Sequence, residues 1–179
     1  TLFTYKNGKK HGKKQTFDSK EGYLKREEFF VKDTLQGPKP SFFENGKIKS
    51  VTPFVDGKEN GIAYEYNSEG LLQGILEYKY GFLKRRETIN REDRAGKKYG
   101  VWKMFYENGF VRWSGYYKDD LRHGYFKEYD KKGKLILTTK YVKGIIEEDA
   151  PELTKVDVRK SYHSNGRLKY IGGYKDSLP

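Results

Sequence analysis

Between Gly100 and Gly124 the chain reads GVWKMFYENGFVRWSGYYKDDLRHG, and beyond its Asn108-Gly109 step Val111, Trp113, Gly115 and Tyr117 alternate with Phe110, Arg112, Ser114 and Tyr116. Period-two alternation bounded by Asn-Gly predicts a β-hairpin, the two residues supplying the positive φ angles of a two-residue type I′ turn. The same landmarks recur on both sides of this unit. A glycine is followed five residues later by an aromatic and nine residues later by a turn glycine: Gly37, Phe42 and Gly46; Gly61, Tyr66 and Gly70; Gly124, Tyr129 and Gly133. From Gly37 to Gly61 and from Gly100 to Gly124 the spacing is 24 residues.

These landmarks divide 1–179 into a single array. A partial repeat occupies 1–11, and repeats follow at 12–36, 37–60, 61–81, 100–123, 124–144 and 157–179. Stretches 82–99 and 145–156 break the period as irregular insertions. The first looks like a partial duplicate of a second strand, with Leu83 and Ile89 in its apolar places, followed by a charged loop from Asn90 to Ala95. The second is acidic, contains Pro151, and predicts a loop or short helix over one sheet end.

Two positions repeat in every second strand. Two residues after the turn glycine stand Leu24, Ile48, Leu72, Val111, Leu135 and Leu168; eight after it stand Phe30, Phe54, Tyr78, Tyr117, Tyr141 and Tyr174. Equal parity places both sets on one face of the strand, where stacked repeats would align the rings into a structural aromatic ladder.

The pattern G-x-x-x-x-Y/F-x-x-N-G-x-L-x-x-x-x-x-Y-x-x-G-x-x-x-G resembles the MORN-type repeat, in the bacterial variant of YwqK-like antitoxin family proteins. FENGKIKSVTPFVDGKENG and YENGFVRWSGYYKDDLRHG carry the resemblance most fully. Asp33, Asp120 and Asp157 replace glycines of the pattern, a mild departure because Asp enters similar turns. The resemblance implies an all-β fold, an elongated antiparallel β-meander of tandem hairpins with an extended face for partners. It also implies a scaffold role, and contact with phospholipid has been proposed for such repeats. The chain starts in mid-repeat and has no terminal caps, which points to a piece of a longer protein. The sequence itself determines no compartment, the alternatives being the bacterial cytoplasm or, with an export signal removed, the periplasm or cell surface.

Composition narrows the picture. Mean hydropathy is −0.98, and hydrophobic and charged residues each make up 35%, too little apolar material for a thick two-layer core. Aromatics reach 16%, which argues against disorder and assigns much of the buried area to rings. Net charge is +12, suited to acidic partners, although lysines also solubilise exposed strands and guard sheet edges. Cysteine is absent, and no apolar run approaches the roughly 20 residues of a membrane span.

Catalytic and metal-binding constellations do not emerge. His11 and His123 share one turn position and His163 flanks another turn. Glu27-Glu28 and Glu147-Glu148 point to opposite faces if extended, poor geometry for paired carboxylates. The phosphate-loop, nucleophile-elbow and zinc-protease motifs are missing, so the chain reads as a non-enzyme without cofactor. The densest positive charge is Lys84, Arg85, Arg86, Arg91, Arg94, Lys97 and Lys98, a candidate patch for an anionic partner. Alternation sends Lys84 and Arg86 to one face and Arg85 to the other. The leading expectation is a scaffold for another protein, as a subunit of an assembly or an antitoxin-like neutraliser. The alternative is electrostatic binding of anionic lipid or nucleic acid by a basic, aromatic-rich sheet.

Overall fold

A computed structural model describes residues 1–148 and, for the backbone alone, 157–162 and 168–174. The described residues contain strands and turns and no helix. In chain order the strands are β1 (Tyr5–Lys6), β2 (Lys9–Lys10), β3 (Gly12–Phe17), β4 (Leu24–Val31), β5 (Thr34–Leu35), β6 (Gly37–Phe42) and β7 (Ile48–Val55). There follow β8 (Lys58–Glu59), β9 (Gly61–Tyr66), β10 (Leu72–Lys79), β11 (Phe82–Thr88), β12 (Arg91–Glu92) and β13 (Lys98–Phe105). The last are β14 (Val111–Lys118), β15 (Leu121–Tyr129), β16 (Leu135–Val142), β17 (Ile145–Ile146), β18 (Asp157–Tyr162) and β19 (Leu168–Tyr174). A nine-stranded sheet has the order β11-β10-β9-β7-β6-β4-β3, with β5 and β8 pairing on β4 and β7. β12 to β17 form a second sheet in chain order, and β1-β2 and β18-β19 are separate hairpins. All registered pairs are antiparallel, so the all-β meander of hairpins is the observed architecture. Two compact units divide the chain: Thr1–Lys103 with Tyr117–Asp120, and Met104–Tyr116 with Leu121–Pro179.

The turns correct one expectation. Inside four of the described repeats the turn spans five residues, as where Phe43 N–H donates to Lys47 O at 2.9 Å and Gly46 N–H to Phe43 O at 3.0 Å, and in the repeat at 12–36 it is one residue longer, Asp18 N–H donating to Tyr23 O. Gly46 has φ 78° while Asn45 is not in the left-handed region. This is a type I turn closed by a left-handed glycine, and Asn45 serves it through Oδ1, which accepts the Lys47 N–H at 3.0 Å. The two-residue primed turns lie instead between repeats, as at Asp56-Gly57 (φ 51° and 77°) and Asp119-Asp120 (φ 52° and 66°). Aspartate therefore occupies the glycine place of this turn in the left-handed conformation, at Asp33 and Asp120.

A second correction concerns which residues share a face. Just past the intra-repeat turn, Phe42 pairs with Ile48 and Ser41 with Ser50, leaving Lys49 without an opposite number. The same single-residue bulge occurs at Lys25, Gln73, Ile136 and Lys169, always three residues after the turn glycine. One extra residue inverts parity, so the position-two and position-eight residues lie on opposite faces. Burial follows: Ile48 is 42% exposed and Phe54 8%.

Neighbouring repeats are joined at both ends of their strands by turn-to-turn hydrogen bonds. At one end Gly57 N–H donates to Leu35 O, Gly81 N–H to Glu59 O and Asp120 N–H to Lys98 O, at 2.8–3.0 Å. At the other, Asn45 Nδ2 donates to Ser68 O and Asn108 Nδ2 to Lys131 O, both at 2.8 Å. Between these ends the strand ladder is thin where proline intervenes. Pro38 and Pro40 cannot donate, and β4 meets β6 through the single pair Arg26 and Ser41, whereas β6 and β7 pair from Gly37 to Phe42.

Stretch 82–99 is more regular than an insertion. β11 takes the place of a first strand on β10, not of a duplicated second strand, pairing Lys79 with Phe82 and Gly74 with Thr88. Within the supposed loop Asn90 to Ala95, β12 pairs with β13, and Asp93 to Lys97 make the same five-residue turn as the repeats, with Gly96 in the glycine place. The chain changes sheets in one step. Ile89 N–H donates to Gln73 O on β10, and Asn90 N–H to Val101 O on β13. Of 145–156, Ile145 and Ile146 pair with β16, and 149–156 lie outside the described residues.

Candidate functional site

The first unit carries a groove of about 330 Å³ on one sheet face. Register builds its floor: Ser50 pairs with Glu65, Glu65 with Gly74 and Gly74 with Thr88, a row across β7, β9, β10 and β11. Lys49, Tyr66, Gln73, Arg86 and Arg91 complete the lining. Gly74 makes room for a close approach, since a Cβ there would stand 2.7 Å from Glu65 Oε2 and would push that side chain aside. Glu65 lies over that glycine and accepts from Arg86 Nη2 at 2.6 Å. Arg91 stacks on Tyr99, its guanidinium carbon 4.7 Å from the ring centre, and Lys49 Nζ is 5.8 Å from the Phe43 ring. Burial raises the Tyr66 hydroxyl above its usual pKa, with Tyr64 adding to the effect, so Tyr66 stays a neutral donor.

The candidate basic patch is distributed by the strands. Arg86 and Arg91 meet in the groove. Lys84 is the bulge residue of β11, Tyr78 pairing with Leu83 and Glu77 with Arg85, so Lys84 shares a face with Arg85, not with Arg86. Arg85 approaches Glu77 at 3.6 Å and Lys84 the Phe82 ring at 5.7 Å. Arg94 and Lys97 sit on the Asp93 turn, and Lys98 lies over Trp102 at 4.8 Å and Tyr117 at 5.5 Å.

Among the position-eight rings, Phe54 and Tyr117 are buried while Phe30, Tyr78 and Tyr141 are half-buried; the Tyr174 side chain lies outside the described residues. Tyr117 meets Trp102 edge-on at 5.6 Å, and Tyr141 meets Phe126 at 5.1 Å. Lys39 covers Phe54 at 5.2 Å, and Lys10 and Lys14 cover Phe30 at 5.6 and 5.9 Å. First-strand rings and cations are thus partners that counting second-strand positions did not bring forward.

On the opposite sheet face an apolar row crosses four strands: Pro40 pairs with Val51, Val51 with Tyr64, and Tyr64 with Ile75. Tyr64 is 39% exposed, and Phe29 and Ile62 are exposed too. Periodicity does not distinguish this row, because β7 and β10 are apolar at positions of both parities.

The acidic pair on β4 is divided between faces, Glu27 opposite Gln15 and Glu28 opposite Lys14. Burial pushes the Glu28 carboxyl up, and Lys14, 2.9 Å from Oε2, outweighs it together with the charges of Lys39 and Arg26, leaving its pKa below the ordinary 4.5. A depressed folded-state pKa supplies stability above the unfolded value and loses it as pH falls through the folded one. The melting-temperature gap between wild type and Glu28→Gln should therefore be largest at pH 7 and narrow toward pH 3; a gap independent of pH would refute this. His11 and His123 are half-buried, and His163 lies outside the described residues.

Comparison with known families finds the MORN repeat variant at residues 35–56, 98–119, 122–143 and 158–176, together just under half of the chain. No curated protein matches it significantly.

Proposed function

We propose that this chain, built on repeats of the MORN variant type, is a non-enzymatic scaffold that binds another protein along its first sheet. The observation that supports this reading is the Pro40, Val51, Tyr64 and Ile75 row, in which Tyr64 is exposed and the other three are half-buried, with Phe29 and Ile62 exposed as well. Apolar and tyrosine surface of this kind, rimmed by charge, suits a protein interface. Catalysis receives no support from the repeat type, and no helix among the described residues is long and apolar enough to cross a membrane. The role is that of an assembly subunit or of an antitoxin-like neutraliser.

Crosslinking under native conditions should trap a stoichiometric protein partner on the wild type. Tyr64→Glu combined with Phe29→Glu should reduce its recovery while leaving the far-UV spectrum unchanged. Failure to trap a partner, or equal recovery by the variant, would refute the reading. The basic patch supports a competing reading, anionic lipid or nucleic acid held by charge. That reading requires binding at low salt that weakens steeply as salt rises.

A further inference from the structure

We propose that the groove on the face opposite Tyr64 is a receptor for a glutamate or aspartate side chain of an extended acidic peptide segment. The proposal goes beyond the scaffold reading, because the Tyr64 row plays no part in it. Three cations, Lys49, Arg86 and Arg91, converge on a groove that holds one carboxylate, Glu65. That carboxylate already demonstrates the chemistry: it lies flat over Gly74, whose bare Cα makes the space, and pairs with Arg86 at 2.6 Å. Arg91 is held beside the groove by the Tyr99 ring, 4.7 Å from its guanidinium carbon, and a guanidinium is the group that pairs a carboxylate in the bidentate geometry. A volume of about 330 Å³ admits a side chain or two, not a duplex, and three exposed cations spaced around one groove meet a protruding acidic side chain from more than one side, which a flat lipid surface does not offer.

The test is fluorescence anisotropy with labelled hexaglutamate, run beside hexaglutamine, inorganic phosphate as competitor, and phosphatidylcholine vesicles with and without phosphatidylserine. Hexaglutamate should bind and hexaglutamine should not. Arg91→Gln and Lys49→Gln should each weaken binding about tenfold, as loss of a charge-assisted contact does. Lys9→Gln, which makes the same change of net charge on the β1-β2 hairpin outside the groove lining, should leave it within about twofold, as a salt-screened charge that touches no ligand does. Glu65→Gln should tighten binding by freeing Arg86, and Glu21→Gln, with equal net charge, should not. Melting curves of all three groove variants establish that they fold. The proposal is overturned by equal binding of the two peptides, by equal effects of groove and control substitutions, by inorganic phosphate displacing the label as well as unlabelled hexaglutamate does, or by serine-lipid vesicles binding where the peptide does not. Failure to trap a partner on the wild type, with hexaglutamate binding intact, would count against the scaffold reading alone.

Discussion

Asn90→Ala should destabilise the first unit by roughly 3–5 kcal/mol, because it strands several buried backbone groups at about 1–3 kcal/mol each. Asn90 is 2% exposed, at the step where the chain leaves the first sheet for the second. Its Nδ2 donates to Leu72 O on β10 at 2.9 Å and to Lys103 O on β13 at 3.0 Å, while Oδ1 accepts the Lys103 N–H at 2.8 Å. One side chain thus serves both ladders where neither has a neighbouring strand to offer. The backbone contributes separately: φ is 52°, a conformation asparagine tolerates and alanine does not, at a cost of about 1–2 kcal/mol. Asn90→Gly relieves that strain without restoring the hydrogen bonds, so it should fall between wild type and Asn90→Ala. Urea denaturation of the three proteins measures both contributions. A loss below about 1 kcal/mol for Asn90→Ala would mean that water replaces the amide and that the junction does not depend on it.

The contrast between Asn90 and the turn asparagines marks how far the sequence could be read. Asn45 and Asn108 declare themselves because turn chemistry is local: a left-handed glycine follows each, and their side chains bond a backbone N–H two residues on. Hairpins, their boundaries near Gly46, Gly70, Gly109 and Gly133, and their antiparallel order followed from that alone. Asn90 has the same residue type in a charged stretch, yet its partners lie 18 and 13 residues away on different strands. The bulges were hidden for another reason. Lys25, Lys49, Gln73 and Ile136 have no composition in common, so nothing in the alternation signals that parity inverts there. Counting through the bulge put Ile48 and Phe54 on one face and Lys84 beside Arg86; register separates both pairs. The groove was half legible. Arg86 and Arg91 stood out as charge density, but Lys49 and Glu65 join them only because the meander brings β7, β9, β10 and β11 side by side.

Gly115→Ala in the second unit should cost about 2–4 kcal/mol, at or above the usual range for overpacking a core. Gly115 is buried on β14 outside the left-handed region, so conformational freedom is not what selects it. A Cβ there would stand 2.4 Å from Phe126 Cε1 and 2.5 Å from Cδ1 and Cζ. The ring cannot swing aside. Phe126 is 7% exposed, stacked on Trp113 at 6.1 Å, met edge-on by Tyr141 at 5.1 Å and covered by the Arg122 guanidinium at 5.1 Å. Gly74 gives the contrast, because its nearest neighbour is the tip of the flexible Glu65 side chain, and Gly74→Ala should cost less. A double-mutant cycle separates steric conflict from other causes. Phe126→Leu alone removes ring contacts and destabilises, but in the Gly115→Ala background it also makes room for the new methyl. The double variant should therefore be more stable than the sum of the single losses by at least about 1.5 kcal/mol, within the range seen for residues in direct contact. Additive losses would place the cost of Gly115→Ala in the backbone instead and would remove the ring as the reason for a glycine in the middle of this strand.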